Sequence, residues 1–227
     1  MATAPDPGAL LDATWAAATP ARAGAVPLSI VTWNVALLDT RATPPLPRFQ
    51  SPFLAERRRR LPGLVFRRGF DVVLLQEVWR KEDLRRFIAA GEAHGYRVVH
   101  GPRDEYVDGL ALFVRDALID DARPESGAVT FEDQEPLEEL LGPHIRRGYV
   151  WISFRARGLG RVRIYDTHLQ SFASYWLPRL RQARAARWPI ASAWRSRRPS
   201  SPAPTATGQL LPVFCFPSVS ASRLCLP

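Results

Sequence analysis

At 227 residues and 46% hydrophobic content, the chain reads as one soluble globular domain with room for a sizeable core. Its formal charge of +9 would point to a polyanionic partner, but residues 186–227 hold five arginines and no acid, so charge says little about the folded body. Both cysteines, Cys215 and Cys225, lie in that same stretch, which excludes an internal disulfide or thiolate metal site from the body, and no run approaches the roughly 20 apolar residues of a membrane-spanning helix.

Residues 1–27 read as a leader or linker with a short helix near residues 9–18; they lack a basic start, and Asp12 and Pro20 break the apolar run, so no clear signal peptide is present. The compartment stays open, cytoplasmic or secreted. Leu28 to Val35 predicts a strand rich in β-branched residues, residues 41–52 with four prolines an irregular loop, and Phe53 to Phe66 a helix. Asp71 to Gln76 carries the continuous apolar run Val72-Val73-Leu74-Leu75, the pattern of a strand covered on both faces, and Lys81 to Ala93 predicts an amphipathic helix. Further strands are expected at Tyr96 to His100, Leu110 to Val114, Gly148 to Arg155 and Arg161 to Thr167, the last two paired around Gly158-Leu159-Gly160. The layout is α/β. Residues 186–227 differ: seven prolines, abundant Ser and Ala, no acid and no period of 2 or 3.6 predict a disordered tail, unrelated to the body and consistent with an out-of-frame product.

Three strand ends carry candidate chemistry. Asn34, in Thr32-Trp33-Asn34, puts an amide at the mouth of a sheet, where it can orient a metal-bound water or phosphate oxygen; the plainer reading is a core Trp followed by a turn. Glu77, in Leu75-Gln76-Glu77, delivers a carboxylate to the same edge, a ligand suited to hard divalent cations, or else is solvated there or supports the next helix through its dipole. His168, in Asp166-Thr167-His168-Leu169-Gln170, can donate to a phosphate oxygen or protonate a leaving group, or serve as a structural histidine. Asp108-Gly109 introduces the buried run Leu110-Ala111-Leu112-Phe113.

In this order the four motifs resemble the endonuclease/exonuclease/phosphatase superfamily, over residues 28–185. The resemblance implies a four-layer α/β sandwich, two packed mixed β-sheets flanked by helices, with the motif-bearing strand ends converging on Mg²⁺ and phosphate. It implies Glu77 and Asn34 at the metal and His168 on the phosphate or leaving-group side. Abasic-site members place a tyrosine at the position of His168, so the Thr-His-Leu-Gln sequence is closer to sphingomyelinase-like members. The expected substrate is a phosphodiester, a phospholipid headgroup or nucleic acid, handled by a monomer with peripheral membrane contact. A deoxyribonuclease-like nuclease is the enzyme alternative, and a non-catalytic anion-binding module using Arg57 to Arg60 and the Arg-bearing tail is the alternative of another class, with a solvated helix face as the plainer reading of that arginine run. The family's later Gly-Asp-x-Asn and Asp-His motifs are missing after Ser171, so the chain reads as C-terminally truncated, with the second half of the sandwich incomplete, sheet edges uncovered and catalysis lost.

Overall fold

The structure is a computed structural model, which describes residues 26–39, 50–101, 108–132, 146–169, 181, 210–212 and 220–226. In chain order it contains β1 (Val26–Asn34), α1 (Leu54–Arg67), β2 (Val72–Gln76), α2 (Lys81–Ala93), β3 (Tyr96–His100) and β4 (Ala111–Arg115). A 3₁₀ turn (Asp116–Leu118) then leads to β5 (Glu125–Thr130), β6 (Gly148–Ala156), β7 (Gly160–Thr167), β8 (Leu210–Pro212) and β9 (Ser220–Leu226).

Two mixed sheets form, with orders β3-β4-β2-β1-β9 and β5-β6-β7-β8. The apolar run of β2 shows why they stack. Alternate side chains of a strand point to opposite faces, so Val73 and Leu75 join Leu61, Val65, Phe66 and Phe87 beneath α1 and α2. Val72 and Leu74 instead meet Val150, Ile152, Phe154 and Ile164 of the second sheet. All four of these apolar β2 side chains are fully buried, as a strand sandwiched between a helical layer and a sheet requires. This is the expected α/β sandwich. α1 and α2 cover the first sheet's outer face. α2 approaches that sheet closely because residue 91 is glycine: a Cβ there would lie 3.0 Å from the Phe113 ring.

Three features differ from the sequence reading. β5 was not expected, because its ESGAVT alternates small and polar residues and its side chains are largely exposed along an edge. The terminal stretch, read as free of folded elements, contributes β8, which runs parallel to β7, and β9, which pairs antiparallel with β1 from Val26 to Thr32. An unpaired strand edge leaves backbone donors and acceptors without partners, and β9 satisfies that edge of β1 where an uncovered one was expected. The expected leader helix and proline-rich loop lie outside the described residues, as does most of the terminal stretch.

Candidate functional site

Topology brings the motif residues to one end of the sandwich. β1 and β2 are parallel, with Asn34 paired to Gln76, so their C-terminal ends share an edge. β4 runs antiparallel to β2, which places its entry, Asp108 to Leu110, at that same edge. In the second sheet β6 and β7 are antiparallel, so the residue before β6, Arg147, lies beside the residue after β7, His168.

The backbone around Glu77 is strained. Glu77 and Ala36 have φ of 63° and 48°, a left-handed conformation uncommon for non-glycine residues and concentrated at functional sites. Surrounding bonds hold it there: Val35 N–H donates to Gln76 O at 3.0 Å, Leu37 N–H to Glu77 O at 3.3 Å, and Val78 N–H to Gly109 O at 2.9 Å. Asn34 Oδ1 accepts the Ala36 N–H at 2.9 Å, and this fixes its amide so that Nδ2 donates to Glu77 Oε1 at 2.8 Å. Arg57, from the basic run on α1, donates to Ala36 O at 3.3 Å and Val35 O at 3.5 Å and so supports the same loop.

His168 Nε2 lies 3.9 Å from Glu77 Oε1, so the structure brings all three predicted site residues together. Its Nδ1 faces Arg147 Nη1 at 2.6 Å, and both residues are buried. Burial, and secondarily the Arg147 charge, hold the imidazole pKa well below its ordinary value, so the ring is neutral in the fold.

Under the site, the two sheets are joined by a polar bond: Gln76 Nε2 donates to Asp166 Oδ1 at 2.8 Å, with Thr32 Oγ1 at 3.3 Å. Asp166 is fully buried, and desolvation raises its carboxyl well above the usual range against the lowering effect of the Gln76 bond. Its Oδ2 and the Gln76 Oε1 have no hydrogen-bond partner among the described residues.

Sequence reasoning assigned no role to Trp79, Arg147, Gln76 or Asp166. The Arg147 guanidinium lies 5.6 Å from the Trp79 ring centroid, and that ring is 6.4 Å from His168. Trp79 also packs on Gly109, where φ is 73° and a Cβ would meet the indole at 3.0 Å, which explains the glycine before β4. Arg147 was legible only as one arginine among many. A carboxylate directly after Ile164-Tyr165 in β7 was the available signal for Asp166.

Among the described residues no group of three or more His, Cys, Asp and Glu gathers. The oxygen-bearing pair of Glu77 and Asn34 nonetheless suits magnesium, which binds through one or two carboxylates while keeping waters and substrate oxygens. Three arginines of the α1 run have partners within the fold: Arg58 pairs with Asp83 at 2.9 Å, Arg60 with Glu56 at 2.8 Å, and Arg57 serves the site loop; the side chains of the tail arginines lie outside the described residues.

Residues 31–205 match the model of the endonuclease/exonuclease/phosphatase family, a match that continues past Ala185, where the motif resemblance stops. Among solved structures, sphingomyelinase C from Streptomyces griseocarneus is similar at 20% identity and a TM-score of 0.56, covering 82% of this chain and 63% of that one. TDP2 from Caenorhabditis elegans is similar at 18% identity and a TM-score of 0.55, covering 76% of this chain and 44% of that one. ANGEL2, described as a 2′,3′-cyclic phosphatase, is similar at 16% identity and a TM-score of 0.55, covering 77% and 50%. The chain thus spans roughly half the length of such structures. No curated protein matches it.

Proposed function

The chain belongs to the endonuclease/exonuclease/phosphatase family, and from that premise we propose that its site is the metal and phosphate side of a magnesium-dependent phosphodiester hydrolase, sphingomyelinase-like in substrate. The observation that carries the reading is the strained Glu77, held by Asn34 at 2.8 Å and facing His168 at 3.9 Å. Magnesium, when bound, supplies a Lewis acid that neutralises charge developing on phosphate oxygens. Glu77 holds it through its carboxylate, and Asn34 orients that carboxylate. His168, kept neutral and buried, offers a hydrogen-bonding group to the phosphate or leaving oxygen. Trp79 and Gly109 close the wall beside it.

The Thr167-His168-Leu169-Gln170 sequence and the likeness to a sphingomyelinase C favour a phospholipid headgroup. The likeness to ANGEL2, described as a 2′,3′-cyclic phosphatase and also solved in complex with adenosine-2′,3′-vanadate, keeps a nucleic-acid substrate as the second reading. Calorimetric titration of Mg²⁺ tests the centre: measurable binding is expected for the wild type and loss of it for Glu77→Gln, whereas equal affinity in the two would refute the assignment. Titration of phosphocholine and of a deoxynucleotide monophosphate onto the Mg²⁺-loaded chain separates the substrates, with tighter phosphocholine binding expected.

A further inference from the structure

The environment of His168 is chemically one-sided. A guanidinium carries only donors, so Arg147 Nη1 at 2.6 Å from Nδ1 requires a lone pair on that nitrogen. A proton on Nδ1 would set two N–H groups against each other inside hydrogen-bonding distance. The neutral ring then carries its proton on Nε2, the nitrogen turned towards Glu77 Oε1.

The backbone leaves this pairing little freedom. Arg147 O accepts the Phe131 N–H at 2.9 Å, and Gly148 O accepts the Thr167 hydroxyl at 2.8 Å, so the neighbours of both side chains are tied across the β6–β7 pair. Trp79 packs beside the guanidinium and the imidazole together. Arg147 and His168 are 7% and 6% exposed, so bulk water cannot replace the guanidinium as the donor to Nδ1. The 3.9 Å from Nε2 to Glu77 Oε1 exceeds a direct hydrogen bond, which leaves the Nε2–H to address an oxygen seated beside the pair.

We propose that Arg147 is a positioning residue that fixes the His168 proton on Nε2, so that His168 meets the substrate phosphate as a hydrogen-bond donor and not as a base. The role of the phosphate rests on the functional reading above; the position of the proton does not. A histidine held this way takes no proton from the attacking water, and that task falls to another group.

Long-range ¹H–¹⁵N correlation of the imidazoles of the ¹⁵N-labelled full chain tests this, the His168 signals being assigned by their loss in His168→Gln. The expected wild-type pattern is an unprotonated Nδ1 and a protonated Nε2, with a coupling across the hydrogen bond from Arg147 Nη1 to Nδ1. In Arg147→Met, or in Arg147→Gln should the methionine variant not keep the wild-type amide spectrum, the ring is expected to become a mixture of tautomers. A proton on Nδ1 in the wild type, or an unchanged ring in a folded variant, overturns the proposal. These readings need neither Mg²⁺ nor substrate, so they stand apart from the Glu77→Gln titration. Inorganic phosphate is then expected to shift Nε2 and leave Nδ1 in place; the reverse overturns the donor role.

Discussion

Replacing Asp166 with asparagine tests the polar bond between the sheets. Burial raises the folded carboxyl well above its ordinary value of 3.8, so the proton is retained in the fold at a pH where the unfolded chain has released it. The unfolded state then binds fewer protons, and stability must fall as pH rises from the unfolded value towards the folded one. The contribution is complete below about pH 4 and declines by about 1.4 kcal/mol for each pH unit in which the fold alone keeps the proton. An asparagine side chain has no such proton to lose. Its Oδ1 can still accept from Gln76 Nε2, and its Nδ2 hydrogens would occupy the position of Asp166 Oδ2, next to a Gln76 whose Oε1 also has no partner among the described residues. Asp166→Asn is therefore expected to match the wild type near pH 4 and to exceed it increasingly at neutral pH. Urea unfolding midpoints of both proteins from pH 4 to 8 measure the difference, in which the titration of carboxylates not coupled to Asp166 cancels; Asp108 is the carboxylate coupled to it. Parallel curves, or a variant weaker at every pH, would refute the reasoning.

Four other outcomes are expected. Asn34→Leu frees the Glu77 carboxylate from its 2.8 Å bond, and Mg²⁺ affinity by calorimetry should fall about 10- to 100-fold, as when a partner orienting a metal ligand is lost. Phe66→Ala removes a buried ring with neighbours at 4.9 and 5.0 Å and should cost about 3–5 kcal/mol in urea unfolding, a large part of a typical domain's stability. Gly109→Ala forces a side chain into a left-handed position against Trp79, so it should cost at least about 1 kcal/mol and alter the tryptophan emission. No Asp, Glu or His occurs among residues 169–227, and going without a positioned general base costs about 10²- to 10⁴-fold in rate, so turnover of sphingomyelin or DNA by this chain is expected to be slow; robust Mg²⁺-dependent turnover abolished by His168→Ala would contradict this.

The parts of the fold legible in sequence are those where burial writes a pattern. The run Val72 to Leu75 announces a strand covered on both faces, and the expected helix Lys81 to Ala93 has the same limits in the structure. β5 escapes notice because an exposed edge strand of small and polar residues has no apolar face to repeat. β9 escapes it because a strand recruited to cover an edge is selected by the pairing it completes, and its composition resembles the irregular stretch around it. The site divides the same way. Asn34, Glu77 and His168 stand at strand ends in a recognisable order. The partner of His168 comes from a segment 21 residues earlier and becomes its neighbour only through the β6–β7 pairing.

The site's two halves belong to different sheets, and this determines what stability does for function. Asn34 and Glu77 follow the parallel strands of the first sheet, whereas Arg147 and His168 flank the hairpin of the second. Glu77 and His168 are 3.9 Å apart only because Leu28, Ile30, Val72 and Leu74 pack against Val150, Ile152 and Ile164 below them. The bond from Gln76 to Asp166 spans that interface directly beneath the site, each partner being one or two residues from a site side chain. A slip between the sheets of even 1 Å would separate the metal-side and phosphate-side groups, and misplacement on that scale can cost about 10²-fold in rate. Placing a hydrogen bond there instead of more apolar surface gives the interface one preferred register, because an unmatched amide and carboxyl buried together cost more than the bond gains.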